Sequence, residues 1–271
     1  MTPDQDQVTT WFGDFTMAPG ETRRWRMGPK SLWISRTRHE WQITAREGED
    51  PLEHGLEVAQ PAEMPRGEGF QMARFVAPEG DGVRILPALP DRPVIVRAAE
   101  PVLILPGSKV SIYISCPLWV QIWLTGSPVP AIDAPIFRPS DTWFGADTMH
   151  GEMCYASRTS ARQSMSELPV RHHRAILQVR IRNTSSTALE LQRLKLPVSQ
   201  LSLFVAPDGS LWTERLNFER GEDTSGAQAV LSNQPPIGVD VRRLAQPRQP
   251  MRKSFLVDAF GGLWKGNEAT A

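Results

Sequence analysis

The chain has 271 residues, enough for one large domain or two of ordinary size, and either can bury a real core. Lys+Arg and Asp+Glu both number 30, so no basic excess draws the chain to nucleic acid and no acidic excess marks a solvating tail. Two cysteines, Cys116 and Cys154, cannot make a disulfide framework or a cysteine-rich metal site.

The opening Met-Thr-Pro-Asp-Gln-Asp-Gln lacks the basic and apolar regions of a signal peptide. The most apolar run, residues 110–124, is too short to cross a bilayer and contains Ser, Gln and Pro. The expectation is a cytoplasmic protein with no direct membrane insertion. Local arginine clusters at Arg23, Arg24 and Arg26, and at Arg242, Arg243, Arg248 and Arg252, read as solvated strand faces.

In chain order, Thr10–Met17, Glu21–Met27, Lys30–Arg36 and Glu40–Arg46 form short segments separated by Ala-Pro-Gly, Gly28-Pro29 and a further turn, the pattern of a meander. Residues 47–69 are acidic and rich in Pro and Gly, and read as a loop. Phe70–Ala77 and Val83–Leu86 flank Pro-Glu-Gly-Asp-Gly, which predicts a hairpin. From Val110 to Leu124 every even position is apolar: Val110, Ile112, Ile114, Cys116, Leu118, Val120, Ile122 and Leu124. A period of two over that length predicts strands with one face in a core. Pro117 cannot donate to a ladder and marks an edge, a bulge or a corner there.

Prolines at 128, 130, 135 and 139 predict an extended, unpaired stretch over 126–140, and Ser157–Leu168 reads as a short helix ending before Pro169. Strands resume at Ala175–Arg182. In the strand after Asn183–Thr187 the apolar positions move from Leu189 and Leu191 to Leu194 and Leu196, a phase change that predicts a β-bulge. Pro207-Asp208-Gly209 between Leu201–Ala206 and Ser210–Phe218 is a strong hairpin signal. Further strands are expected at Ala229–Leu231, Val239–Leu244 and Ser254–Phe260, with fraying past Trp264.

Two fragments recur in order. Thr10-Trp11-Phe12-Gly13 returns as Thr142-Trp143-Phe144-Gly145, and Phe75-Val76-Ala77-Pro78 returns as Phe204-Val205-Ala206-Pro207. Either the chain is a tandem duplication or turn chemistry favours similar tetrapeptides. The fold class expected is all-β, with two sandwich-like antiparallel halves in tandem, residues 1–128 and 129–271, and little helix.

Signals for chemistry are sparse. No Gly-x-Ser-x-Gly turn, Ser-x-x-Lys pair or phosphate-cradling Gly loop leading into a helix is present. Adjacent His172 and His173 would point to opposite faces of a strand, and His150-x-x-x-Cys154 lacks two further ligands, so no metal site and no cofactor are expected. Tyr113, Trp119 and Trp123 share the face opposite the aliphatic core. They offer either a stacking platform for a sugar or partner, or a surface packed against the second half of the chain. The irregular central segment gathers Asp141, Trp143, Asp147, His150, Glu152, Cys154 and Tyr155, and loops on a rigid β scaffold are where such groups act.

The stretch from Asp141 through Trp143-Phe144-Gly145, Gly151 and Cys154-Tyr155 to Arg158, followed by Ile181-Arg182-Asn183-Thr184-Ser185, resembles a family of uncharacterised bacterial and archaeal proteins, domain of unknown function 432. The opening Phe12-Gly13-Asp14-Phe15 and Pro101–Ser111, with its Leu-Pro-Gly turn, look like that family too. The resemblance implies a β-rich protein with an accessory or regulatory role toward a small-conductance mechanosensitive channel, and it assigns no catalytic residue. The expected function is therefore non-enzymatic binding through protein contacts. The alternative is a carbohydrate-binding or hydrolytic protein using 141–158. Trp119, Trp123, Asp141, Trp143, Asp147, His150, Glu152 and Tyr155 are the candidate binding residues.

Overall fold

The structure is a computed structural model and describes residues 9–70, 72–76, 80–145, 149, 151–221, 227–231, 234–250 and 255–257. The strands follow one another as β1 (Gly13–Thr16), β2 (Thr22–Met27), β3 (Lys30–Arg36), β4 (Trp41–Glu47), β5 (Leu56–Pro61), β6 (Met72–Phe75) and β7 (Gly82–Ala88). Next come β8 (Val94–Ile104), β9 (Lys109–Pro117), β10 (Trp119–Leu124), β11 (Ile132–Pro135), β12 (Asp141–Gly145), β13 (Gly151–Thr159) and β14 (Arg174–Asn183). The chain continues through β15 (Leu189–Leu196), β16 (Leu203–Val205), β17 (Leu211–Thr213), β18 (Leu216–Arg220), β19 (Ala227–Leu231), β20 (Arg242–Ala245) and β21 (Phe255–Val257). Two 3-10 turns, Met165–Glu167 and Val198–Gln200, are the only helical elements among the described residues. No helix there is long and apolar enough to cross a membrane.

The alternating stretch forms as its pattern dictates. Ile112, Ile114, Cys116, Leu118, Val120, Ile122 and Leu124 are all buried. Pro117 is a corner: β9 enters a large sheet alongside β14, whereas β10 turns away to join a different sheet. The meander β2–β3–β4 also forms, widened to the order β5-β2-β3-β4-β6. The second sheet runs β1-β7-β10-β11 and the third β12-β13-β8-β15. The largest runs β20-β16-β17-β14-β18-β19-β21, with β9 on the other side of β14. Most ladders are antiparallel; β13 with β8, and β14 with β17 and β18, are parallel.

Several local expectations change on folding. Residues 56–61 are a strand, because the edge of β2 accepts them despite the terminal Pro61. Ile132–Pro135 likewise pairs with β10 in the stretch expected to stay unpaired. Ser157–Thr159 extends β13 where a helix was predicted, and only Met165–Glu167 is helical. Segments β6 and β7 do not form a hairpin: β6 pairs with β4, and β7 with β1 and β10. The bulge in β15 is present, with the register shifting between Leu191 and Arg193. The Pro207-Asp208-Gly209 hairpin joins β16 to β17, with Gly209 at φ +79°. The expected fraying past Trp264 lies outside the described residues.

Ladders cross the division expected at residues 128–129. β9 pairs with β14 over nine positions, and β8 lies between β13 and β15. One continuous apolar core joins Trp11, Trp25, Ile34, Ile85, Ile112 and Ile122 to Leu177, Val179, Leu216 and Phe218. The recurring tetrapeptides take different places: Trp11 is buried ahead of β1, whereas Trp143 stands exposed on β12.

Candidate functional site

The third sheet positions most of the central segment. β12 and β13 form an antiparallel hairpin that pairs Asp141 with Tyr155, Trp143 with Met153, and Phe144 with Glu152. Side chains alternate between the two faces, so Asp141, Trp143, Met153 and Tyr155 share one face. Thr142, Phe144, Glu152 and Cys154 occupy the other. β12 is an edge strand, and Trp143 lies over Gly151, where any Cβ would collide with the indole at 2.6 Å.

Where β8 begins, the hairpin meets the loop at 89–93, the 3-10 turn Val198–Gln200 and residues 248–250. Together they enclose a cleft of about 540 Å³, lined by Asp91, Arg92, Glu152, Met153, Lys195 and Gln249 among others. Tyr155 anchors one wall. Its hydroxyl donates to Asp91 Oδ1 at 2.9 Å, its backbone N–H donates to the Pro93 carbonyl at 2.9 Å, and its ring packs on Trp119 at 5.2 Å. The Arg92 guanidinium sits 5.5 Å from the Tyr155 ring centre and 3.5 Å from Asp141 Oδ1, while Arg138 reaches Asp141 Oδ2 at 3.1 Å. On the opposite face, Lys195 pairs with Glu152 and lies 5.5 Å from the Phe144 ring centre.

The loop at 89–93 is tied down from the far end of the chain. Arg248 donates to both oxygens of Asp133, at 2.5 and 2.7 Å, and its Nε donates to the Leu89 carbonyl. Burial works to raise the Asp133 pKa, but the hydrogen bonds from Arg248 and Gln121 outweigh it and hold the carboxyl below its ordinary value. Gln249 spans from the Ser199 carbonyl, which its backbone N–H reaches at 3.0 Å, to the Asp91 carbonyl.

The chemistry open to this arrangement is limited. Burial pushes the Cys154 thiol up to about 11, so it stays protonated at neutral pH and is a poor nucleophile. Burial and the hydrogen bond to Asp91 also raise the Tyr155 phenol. What the cleft does offer is paired charge of both signs beside exposed apolar side chains. Trp143 is 43% exposed, Met153 48% and Met149, between β12 and β13 in the chain, 85%.

Of the residues anticipated from sequence, Glu152 lines this cleft, Tyr155 and Asp141 hold its Asp91 and Arg92, and Trp143 stands on the edge strand beside it, over Gly151; Asp147 and His150 lie outside the described residues. Trp119 is 4% exposed against Tyr155, and Trp123 is half-buried with its indole N–H unpartnered, so the two make no flat exposed platform. Trp119 packs instead on Tyr155, in the second half of the chain. Among the described residues no group of His, Cys, Asp and Glu is placed to hold a metal. Sequence reading missed Asp91, Arg92, Lys195, Gln200 and Gln249, which arrive from four separate parts of the chain and carry no local signal.

The fold and cleft define an all-β protein of packed, mostly antiparallel sheets with a charged surface cleft flanked by an apolar edge hairpin. A family model described as protein of unknown function (DUF432) matches residues 11–264, nearly the full length, and the chain belongs to that family. No curated protein and no solved structure matches it.

Proposed function

We propose that this is a non-enzymatic binding or accessory protein of the cytoplasm that acts through protein contacts, with the β12–β13 hairpin and the adjoining cleft as its contact surface. The observation that carries this reading is the exposed group Trp143, Met149 and Met153 on an edge hairpin, of which Met153 lines the cleft together with Arg92, Glu152 and Lys195. Aromatic and Met side chains ringed by charge are what a docking site presents. The outer edge of β12 can accept an extended strand from a partner, with main-chain hydrogen bonds giving affinity and Trp143 reading alternate side chains. The raised thiol and phenol support binding over catalysis, and the burial of Trp119 speaks against a sugar platform. A small-conductance mechanosensitive channel, which the family resemblance implies, is the first partner to test.

The test places a photo-crosslinking amino acid at position 143 and, as a control, at exposed Val129. The purified cytosolic region of such a channel should crosslink saturably at 143 and not at 129. The Trp143→Ala/Met153→Ala pair should weaken its binding about tenfold without lowering Tm, since both side chains are half-exposed. Equal capture at the two positions would remove the hairpin from the reading. No capture at either would remove the channel.

A further inference from the structure

On the outward face of the β12-β13-β8-β15 sheet, three arginines stand abreast. Arg158 of β13 is directly opposite Arg97 of β8 in the parallel ladder, and Arg193 of β15 is directly opposite the same Arg97 in the antiparallel one. Residues directly opposite in a sheet project to the same side, so three guanidinium groups rise from adjacent strands in one row. Arg97 and Arg158 are exposed and Arg193 is half-buried. Strands lie about 4.8 Å apart, so the row spans roughly 10 Å at its base.

The row is not neutralised. Among the described residues none of the three makes an ion pair. Other surface arginines do have acidic partners, among them Arg23 with Glu21, Arg24 with Glu57, Arg26 with Glu53, Arg84 with Asp14 and Arg248 with Asp133. Like charges side by side across a ladder oppose folding, and a neutral chain with 30 acidic residues had the means to offset them. Lys195, two positions from Arg193 on the same face, already has Glu152, so the uncompensated charge stops where the cleft begins.

We infer that the Arg158–Arg97–Arg193 row is a binding site for a ligand that presents several phosphates together. The guanidinium fork matches phosphate oxygens two at a time, and it holds its charge at any physiological pH. An extended acidic peptide fits less well. Its same-side carboxylates recur about every 7 Å, against about 4.8 Å between the arginines, and each offers two oxygens where a terminal phosphate offers three. The source is either a soluble oligophosphate or phosphate headgroups at a membrane surface. Leu103 and Leu105, 65% and 63% exposed where β8 runs into its Leu-Pro-Gly turn, would be the apolar contact in the second case. The inference does not depend on the hairpin surface proposed above.

Calorimetric titration of the full chain with sodium tripolyphosphate should show one saturable site, at least about tenfold tighter than for orthophosphate and weakening as NaCl is raised. Arg97→Gln, which removes the central member, should weaken that binding about tenfold while leaving Tm unchanged or higher. Sedimentation with phosphatidylglycerol and phosphatidylcholine vesicles separates the two sources. Binding to the anionic vesicles that falls in both Arg97→Gln and Leu103→Ser/Leu105→Ser assigns the site to headgroups; tripolyphosphate binding without vesicle binding assigns it to a soluble ligand. The inference is overturned if neither probe binds, if Arg97→Gln binds as the unmodified chain does, or if an oligoglutamate peptide binds more tightly than tripolyphosphate.

Discussion

His173 shows how far a single buried side chain can govern behaviour. It is 2% exposed, its Nε2–H donates to the Pro51 carbonyl at 3.1 Å, and Nδ1 has no partner. Burial drives its pKa down to about 4, and the nearby charges of Arg174, Arg171 and His54 act in the same direction. A histidine neutral in the fold but free to charge at its ordinary value of 6.5 when unfolded adds stability that is complete above pH 6.5. That stability is lost progressively as pH falls toward 4, because the unfolded chain binds the proton first; the loss is roughly 3 kcal/mol at most. The urea midpoint should therefore drop between pH 7 and 4.5, and His173→Phe should flatten that drop. Gly28 packs against the same ring at φ +60°, and a Cβ there would meet His173 Nδ1 at 2.2 Å and the Glu53 carbonyl at 2.8 Å. Gly28→Ala adds backbone strain to a collision that cannot relax, and should cost about 2–4 kcal/mol, read as a fall in Tm.

At the scale of elements, the turn from β14 into β15 hangs on Asn183. Its side chain is fully buried, donates to the carbonyls of Ile104 at 3.0 Å and Thr187 at 2.8 Å, and accepts the Ser185 N–H at 3.2 Å. Asn183→Ala strands those groups in the interior and should destabilise by about 2–3 kcal/mol, whereas Asn183→Asp keeps the acceptor and loses only the two donated bonds while adding a buried charge. Equilibrium unfolding of both variants checks this, with neither expected to reach wild-type stability. Elements of this kind were legible from sequence where one period ruled without interruption. Val110–Leu124 and Ala175–Arg182 alternate or stay apolar throughout, and Pro207-Asp208-Gly209 fixes its own turn. Leu56–Pro61 and Ile132–Pro135 were not legible, because each is short, ends in proline and is a strand only by virtue of the neighbour it pairs with. The site divides the same way. Asp141, Trp143, Glu152 and Tyr155 are close in sequence and could be grouped there, but Arg97, Arg158 and Arg193 become neighbours only through two ladders that no local pattern announces.

At the scale of the molecule, those long-range ladders decide what can fold alone. β8 and β9 precede residue 128, yet β8 lies between β13 and β15, and β9 borders β14 across nine register positions. A fragment of residues 1–128 would expose both edges of β8 and one apolar face of β9, with Ile112, Ile114 and Cys116 deprived of Leu177 and Val179 in the shared core. A fragment of residues 129–271 would lose the central strand of the third sheet and the antiparallel partner of β14. Long exposed edges of this kind invite aggregation rather than independent folding. Expressed singly, each fragment should be insoluble or lack the cooperative unfolding transition of the whole chain; expressed together, they should recover it, because the cut falls in the connection between β10 and β11 and breaks no strand. Circular dichroism melts of the separate and combined fragments read the outcome. A cooperative melt from residues 1–128 alone would mean that the crossing ladders contribute little to stability, and that the cleft and the arginine row, both assembled from the two sides of the cut, rest on an interface that can open.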